Sequence, residues 1–90
     1  MLRILTLCHG NICRSPLAEV LIEAAVAADP FLAGRVVVSS AGTSDEHAGE
    51  GMHENSAAIL STRGLRSSHQ ARLFTPAIAA TIDLVLAADQ

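Results

Sequence analysis

The sequence predicts an α/β fold: a three-layer open parallel sheet with helices on both faces, cut short after its third strand. Three observations carry it. Short β-type apolar runs alternate with segments of helical periodicity. The last run, Ile82-Asp83-Leu84-Val85-Leu86-Ala87-Ala88, is nearly all apolar, as expected of a strand covered on both faces. The 90 residues, 50% hydrophobic and 17% charged, hold no repeat, linker or low-complexity stretch, so residues 1–90 read as a single domain with one core.

The elements follow in order. Leu2-Arg3-Ile4-Leu5-Thr6-Leu7 is a strand that ends at Cys8, broken by His9-Gly10-Asn11 because Gly and Asn accept positive φ. Ser15-Pro16 reads as an N-cap followed by a first-turn proline. The helix they open runs to Ala28, with Leu17, Val20, Leu21 and Ala24 on its buried side, and Asp29-Pro30 stops it. A second strand spans residues 35–40 and ends at Ala41-Gly42. Residues 42–51 form a surface loop. A second helix covers residues 52–63, with Gly64 as its C-terminal cap, and its Ala57-Ala58-Ile59-Leu60 segment and Met52 belong to the core. Thr75-Pro76 opens a short third helix that reaches Ala80, ahead of the final strand. The order β-α-β-α-α-β is that of a flavodoxin/Rossmann-like sheet. The chain stops at Gln90 with no covering helix after its third strand, which is the expectation of a domain cut short. An unpaired sheet edge with exposed apolar surface then invites self-association.

Composition narrows the function. The six basic residues are all arginine, set against nine acids and four His, for a formal net charge of −3. Such a chain has no basic stripe for nucleic acid. No apolar run approaches the ~20 residues of a membrane span, so no membrane partner is expected either. No secretory signal is visible, which makes a reducing cytoplasm the expected setting. Aromatic content is 2%, Phe31 and Phe74 alone, too little for base stacking or an aromatic cage. Cys8 and Cys13 are too few for a disulfide scaffold or a structural zinc site, and no metal or cofactor is expected.

The chemistry concentrates in Cys8-His9-Gly10-Asn11-Ile12-Cys13-Arg14-Ser15. This segment joins a strand's carboxyl end to a helix amino end, where open α/β sheets bind ligands. The helix start offers unpaired N–H groups and the positive end of a dipole. The backbone from His9 to Arg14 is long enough to wrap one tetrahedral anion, with the Arg14 guanidinium forking onto two of its oxygens. The same field favours thiolate at Cys8, a nucleophile for covalent catalysis. Ser15 is placed to donate its hydroxyl to that sulfur, which helps it leave in a second step. A nucleotide-binding loop is excluded, because the Gly-x-x-x-x-Gly-Lys pattern is absent.

Cys8-x-Gly10-Asn11-Ile12-Cys13-Arg14-Ser15-Pro16-x-Ala18-Glu19 closely resembles the opening of the low-molecular-weight protein tyrosine phosphatases. Ser40-Ala41-Gly42-Thr43, Gly64, His69-x-Ala71-Arg72 and Asp83…Ala88-Asp89 resemble the family's later landmarks in order and spacing. The resemblance implies hydrolysis of a phosphorylated protein or small phosphomonoester through a cysteinyl-phosphate, without metal or cofactor, and inhibition by phosphate or vanadate. It makes Cys8 the nucleophile and Arg14 the phosphate clamp, and Asn11, Ser15, Ser40 and His69 the polar network that holds the loop. It makes Cys13 the partner of Cys8 in a reversible, redox-sensitive disulfide.

The sequence also departs from the family. The Asp-Pro-aromatic motif that supplies the general acid lies near the family's C-terminus, and the chain ends before that region. Asp29-Pro30-Phe31 is a decoy, because a helix of about 13 residues carries it roughly 20 Å from the loop. Asp45, in the surface loop, is the nearer carboxylate, while Asp89 is expected to pair with Arg72 or cap a further element. Asp45-Glu46-His47 stands where relatives carry an aromatic residue, and two carboxylates there repel a phosphoester dianion. His47 and His53 read as solvated loop residues, and His9 contributes mainly its backbone amide. Two alternatives remain: a thiol-coupled arsenate reductase, which needs further cysteines, and a non-catalytic oxyanion-binding fragment.

Overall fold

The computed structural model describes residues 1–88. Its elements are β1 (Leu2–Cys8), α1 (Arg14–Ala28), β2 (Val36–Gly42), α2 (Glu54–Thr62), α3 (Pro76–Ala79) and β3 (Leu84–Ala87). The three strands are parallel in the order β2-β1-β3, so β1 is central and its carboxyl end, Cys8, lies between two neighbours. Both partners of β1 are reached through helical crossovers, as a parallel sheet requires.

Side chains along β1 and β2 alternate between two faces. The Thr6 hydroxyl donates to the Ser15 carbonyl and the Ser40 hydroxyl to Glu19 Oε1, which places the even-numbered positions of both strands toward α1. On the opposite face Arg3, Val37 and Ser39 border a groove with Ala77 and Ile78 of α3. Helices therefore flank both faces, and the predicted three layers stand. The core is aliphatic: Leu5, Val20, Val38, Ala41, Leu60 and Ala71 are all buried.

Several boundaries move, each for a local reason. The first helix starts at Arg14 rather than Pro16, with Cys13 and not Ser15 at its cap position and no side-chain cap bond there. The Ser15 hydroxyl points back to Cys8 and Asn11, and its oxygen accepts from Asn11 Nδ2 instead of from a helix amide. The second helix begins at Glu54 rather than Met52. His53 is exposed as expected, yet it is engaged: its N–H donates to Ile12 O and its Nδ1 accepts from Asn55 N, so it caps α2 and ties that helix to the loop after β1. At the far end of α2, Gly64 takes φ +70°, and Leu65 N–H reaches back to Leu60 O, the left-handed helix stop expected of glycine there. Ile59 of the predicted core segment is in fact 43% exposed, while Leu60 is fully buried. Strand β2 continues through Ala41 and Gly42 instead of ending before them, because Gly42 N–H finds Arg72 O and Gly42 O accepts from Phe74 N.

The final strand is shorter than its apolar run, although its pairing extends past both ends through Asp83 N to Arg3 O and Ala88 N to Leu7 O. Every residue of β3 is exposed, with Leu84, Val85 and Leu86 at 45, 41 and 41%. No helix among the described residues is long and apolar enough to cross a membrane. An edge strand of this kind is a template for pairing with another chain. Light scattering at rising concentration is expected to give a mass above the monomer, and Val85→Lys on the open edge to bring it back toward one chain. A clean wild-type monomer at high concentration would contradict this.

Candidate active site

The loop after β1 is built around Asn11. Its backbone is left-handed, φ 56°, and its side chain is fully buried. One amide hydrogen of Nδ2 goes to Ser15 Oγ (2.9 Å) and the other to Ser40 Oγ (3.0 Å). Its Oδ1 accepts from Arg72 N (2.9 Å), and its carbonyl oxygen accepts from His69 Nε2 (2.6 Å). The last bond fixes the tautomer, since a carbonyl accepts only from a protonated Nε2.

These bonds decide where one proton sits. Ser15 Oγ accepts from Asn11 and lies 2.9 Å from Cys8 Sγ, and with the sulfur as thiolate the Ser15 hydroxyl is the donor of that bond. The backbone N–H groups of Ser15, Asn11 and Cys13 add to the lowering of the same thiol. Burial pushes the Cys8 thiol up, and the Ser15 hydroxyl together with those amides outweighs it, so the net position lies below the ordinary thiol value. Cys8 sits half-buried at the floor of a cleft of about 250 Å³, lined by Cys8, His9, Gly10, Ile12, Cys13, Arg14 and Ala88. Arg14, the first residue of α1, faces that cleft and donates from Nη1 to Ala88 O at 3.4 Å. Cys13 is exposed, and both thiols are free.

The sequence-predicted residues Cys8, Asn11, Arg14, Ser15, Ser40 and His69 are thus brought together. His9 turns its ring away from the floor, 74% exposed, and pairs with Glu46 at 3.0 Å. His47 packs over Gly10 and bonds Glu50 at 3.0 Å, so it is half-buried against the loop rather than solvated. Asp45 is exposed and absent from the cleft wall. Asp29 is spent on a turn, its Oδ1 accepting from Phe31 N and Leu32 N. The expected Arg72–Asp89 pair involves a residue outside the described ones; Arg72 itself donates from Nε to Ser40 O.

Other supports escaped the sequence reading. Thr6 is buried and bonds Ser15 O, anchoring the start of α1 to the central strand. Ser56 of α2 is buried and bonds Cys13 O at 3.0 Å. Gly42 allows a close approach: a Cβ there would stand 2.7 Å from His9 O and 3.1 Å from Asn11 N. The sequence marked Gly42 only as part of the Ser40-Ala41-Gly42-Thr43 landmark; beside it Thr43 N donates to Cys8 O. The loop 42–51 and the segment carrying His69 are stitched by Gly49 N to Ala71 O and Ala71 N to Glu50 O.

Ser15→Ala removes the hydroxyl that lowers the thiol. A group whose folded pKa lies below its unfolded value stabilises the fold above the unfolded pKa and loses that stability as pH falls through the folded one. In Ser15→Ala the ultraviolet titration of the Cys8 thiolate is expected to move to higher pH. The added stability of the wild type in mildly alkaline buffer shrinks with it. A titration that stays in place would mean that the amides alone set the sulfur.

A family model described as low molecular weight phosphotyrosine protein phosphatase matches residues 3–90. The chain is 41% identical over 87 residues to the low molecular weight protein-tyrosine-phosphatase of Streptomyces coelicolor, covering 97% of this chain and 52% of that protein. Among solved structures it is similar to YfkJ from Bacillus subtilis, with TM-score 0.88, 34% identity, and coverage of 97% of this chain and 55% of that one. Wzb from Vibrio vulnificus, solved in complex with benzylphosphonate, matches with TM-score 0.83 and 26% identity over 96% of this chain and 57% of that one. The chain spans about half the length of the curated relatives it matches.

Proposed function

The chain belongs to the low molecular weight phosphotyrosine protein phosphatase family, and on that premise we propose that residues 8–15 form a phosphate-accepting loop that hydrolyses phosphomonoesters, protein phosphotyrosine among them. One observation carries the reading: Cys8 Sγ lies 2.9 Å from the Ser15 hydroxyl in a cleft walled by the loop backbone and Arg14, and its thiol is lowered by that hydroxyl and the amides of Ser15, Asn11 and Cys13. Donors arranged around a sulfur whose thiol is lowered favour the thiolate and make a cradle for an oxyanion in front of it. The relative solved with benzylphosphonate offers a phosphonate of phosphotyrosine-like shape as precedent.

In this reading the Cys8 thiolate attacks phosphorus, the S–P bond forms and the P–O bond to the alcohol breaks. Arg14 and the loop amides take up charge on the equatorial oxygens. Water then attacks phosphorus, the S–P bond breaks, and inorganic phosphate leaves. Ser15 eases that second departure by stabilising the emerging thiolate. Metal and cofactor have no part in it, and the setting is a reducing cytoplasm that keeps Cys8 and Cys13 as thiols. Among the described residues no carboxylate lines the cleft, so none of them is placed to protonate the leaving group. Phosphate and vanadate act as inhibitors that occupy the same cradle. At the rim, Glu46 is held by His9 and Glu50 by His47, which tempers the repulsion of a dianionic ester whenever those imidazoles are protonated.

The test is hydrolysis of p-nitrophenyl phosphate, whose leaving group needs little acid assistance, with Cys8→Ser as control. Turnover that disappears in Cys8→Ser is the expected result. Absence of turnover, with vanadate still raising the melting temperature, would reduce the reading to an oxyanion-binding loop. Arg14→Lys keeps the charge but loses the fork, and is expected to weaken vanadate binding by at least about tenfold, roughly 1.4 kcal/mol. Unchanged affinity in calorimetry would mean that the guanidinium does not close over the anion.

A further inference from the structure

Arg66 lies outside the cleft, on the segment after α2, and nothing in the phosphatase chemistry requires it. Its guanidinium is nevertheless heavily engaged. Nε and Nη2 fork onto Glu23 at 3.0 and 3.2 Å, Nη2 also donates to Glu19 Oε2 at 2.7 Å, and Nη1 donates to Ser68 O at 2.8 Å. Each contact leads somewhere. Glu19 Oε1 accepts from the Ser40 hydroxyl, whose oxygen in turn accepts from Asn11 Nδ2. Ser68 directly precedes His69, whose Nε2 holds the Asn11 carbonyl.

We infer that Arg66 is a positioning residue for the Cys8 nucleophile, joining the two arms that hold Asn11. The inference rests on the phosphatase reading only for the role given to Cys8. Its physical content is directional. The Glu19 carboxylate accepts from Ser40, which turns the Ser40 lone pair toward Asn11. Asn11 then spends its second amide hydrogen on Ser15, and Ser15 spends its own on the sulfur. Reversing any link would leave two donors or two acceptors facing each other inside a buried network, where a mismatch is costly. Arg66 holds the outer end of that chain by fixing which Glu19 oxygen faces Ser40. An exposed ion pair alone contributes little to stability. Here the guanidinium fork binds two carboxylates and a carbonyl at once, so its effect is on geometry.

The experiment follows the alkylation of Cys8 by iodoacetamide across pH in wild type and Arg66→Ala, with melting temperature as the check on folding. Mass spectrometry separates Cys8 from Cys13. At neutral pH Arg66→Ala is expected to react at least about threefold more slowly, because less of Cys8 is thiolate. The two proteins should converge at high pH, where both are ionised. Simple loosening of the structure would instead accelerate the high-pH reaction. Arg66→Lys, with charge but no fork, is expected to recover only part of the loss. Superimposable profiles for wild type and folded Arg66→Ala overturn the inference. Should Arg66→Ala fail to fold, Arg66→Gln takes its place, and a wild-type profile there overturns it equally. A lowered wild-type Cys8 titration that Arg66→Ala leaves alone would sink this inference and spare the phosphatase reading. Lowered wild-type titration that shifts in Arg66→Ala, without any ester hydrolysis, would do the reverse.

Discussion

Asn11 sits in a backbone conformation that L-residues other than Gly, Asn and Asp rarely adopt, and it does so with its side chain wholly inside the protein. The left-handed turn redirects the chain so that amides on either side of it face inward to Cys8. Its cost, of order 1 kcal/mol or more, is offset because the amide hydrogens, Oδ1 and carbonyl of Asn11 all have partners on other elements. Those partners come from α1, β2 and the segment after α2. The loop is therefore held by the packing of the whole α/β layer, and its shape is present before any anion arrives. Such preorganisation is what an oxyanion site needs, since dipoles already aligned lose nothing in reorganisation when charge develops.

Two opposing effects meet at Cys8. Partial burial disfavours the charged sulfur, and the Ser15 hydroxyl with three surrounding amides favours it by more. The balance depends on position at the sheet's carboxyl edge. Deeper in the strand, burial would dominate; farther into the loop, the amides would no longer converge. Cys13, five residues on, lies exposed. The rim is governed by a different pair of charges, with Glu46 and Glu50 answered by His9 and His47. Protonation of those imidazoles thus changes the potential that an approaching dianion meets without touching the floor of the cleft.

Support is unevenly distributed over the fold. Where α1 packs on β1 and β2 the polar groups are buried and satisfied, and no buried side-chain polar atom among the described residues lacks a partner. On the other side, β3 is bonded to β1 along its length but exposes every residue. The site draws its rigidity from the first region and only one wall, Ala88 with its carbonyl to Arg14, from the second.

Much of this was legible in the sequence, and for identifiable reasons. Alternation of apolar runs with helical periodicity depends on the local backbone, so the element order and the parallel sheet could be read directly. The loop could be read because its residue types are constrained by chemistry: a nucleophilic sulfur, an Asn able to turn left-handed, an Arg with a fork. Element boundaries were harder, because Ser15 and His53 had two possible uses each, and only the fold chose between them. Ser15 read both as a helix cap and as a partner of Cys8, and the fold kept only the second use. His53 is solvated as its sequence suggested, and only the fold gave its backbone N–H to Ile12 O and its ring to the start of α2. Thr6, Ser56 and Gly42 carry no signal in isolation, since a buried hydroxyl and a glycine forced by a neighbouring carbonyl are defined by what lies across from them. Sequence by itself determined the strands, the helices and the chemistry available at Cys8–Ser15. Tertiary structure decided which donor faces which acceptor, because a hydrogen bond's direction is set by the far end of its network, and here that network runs through residues tens of positions apart.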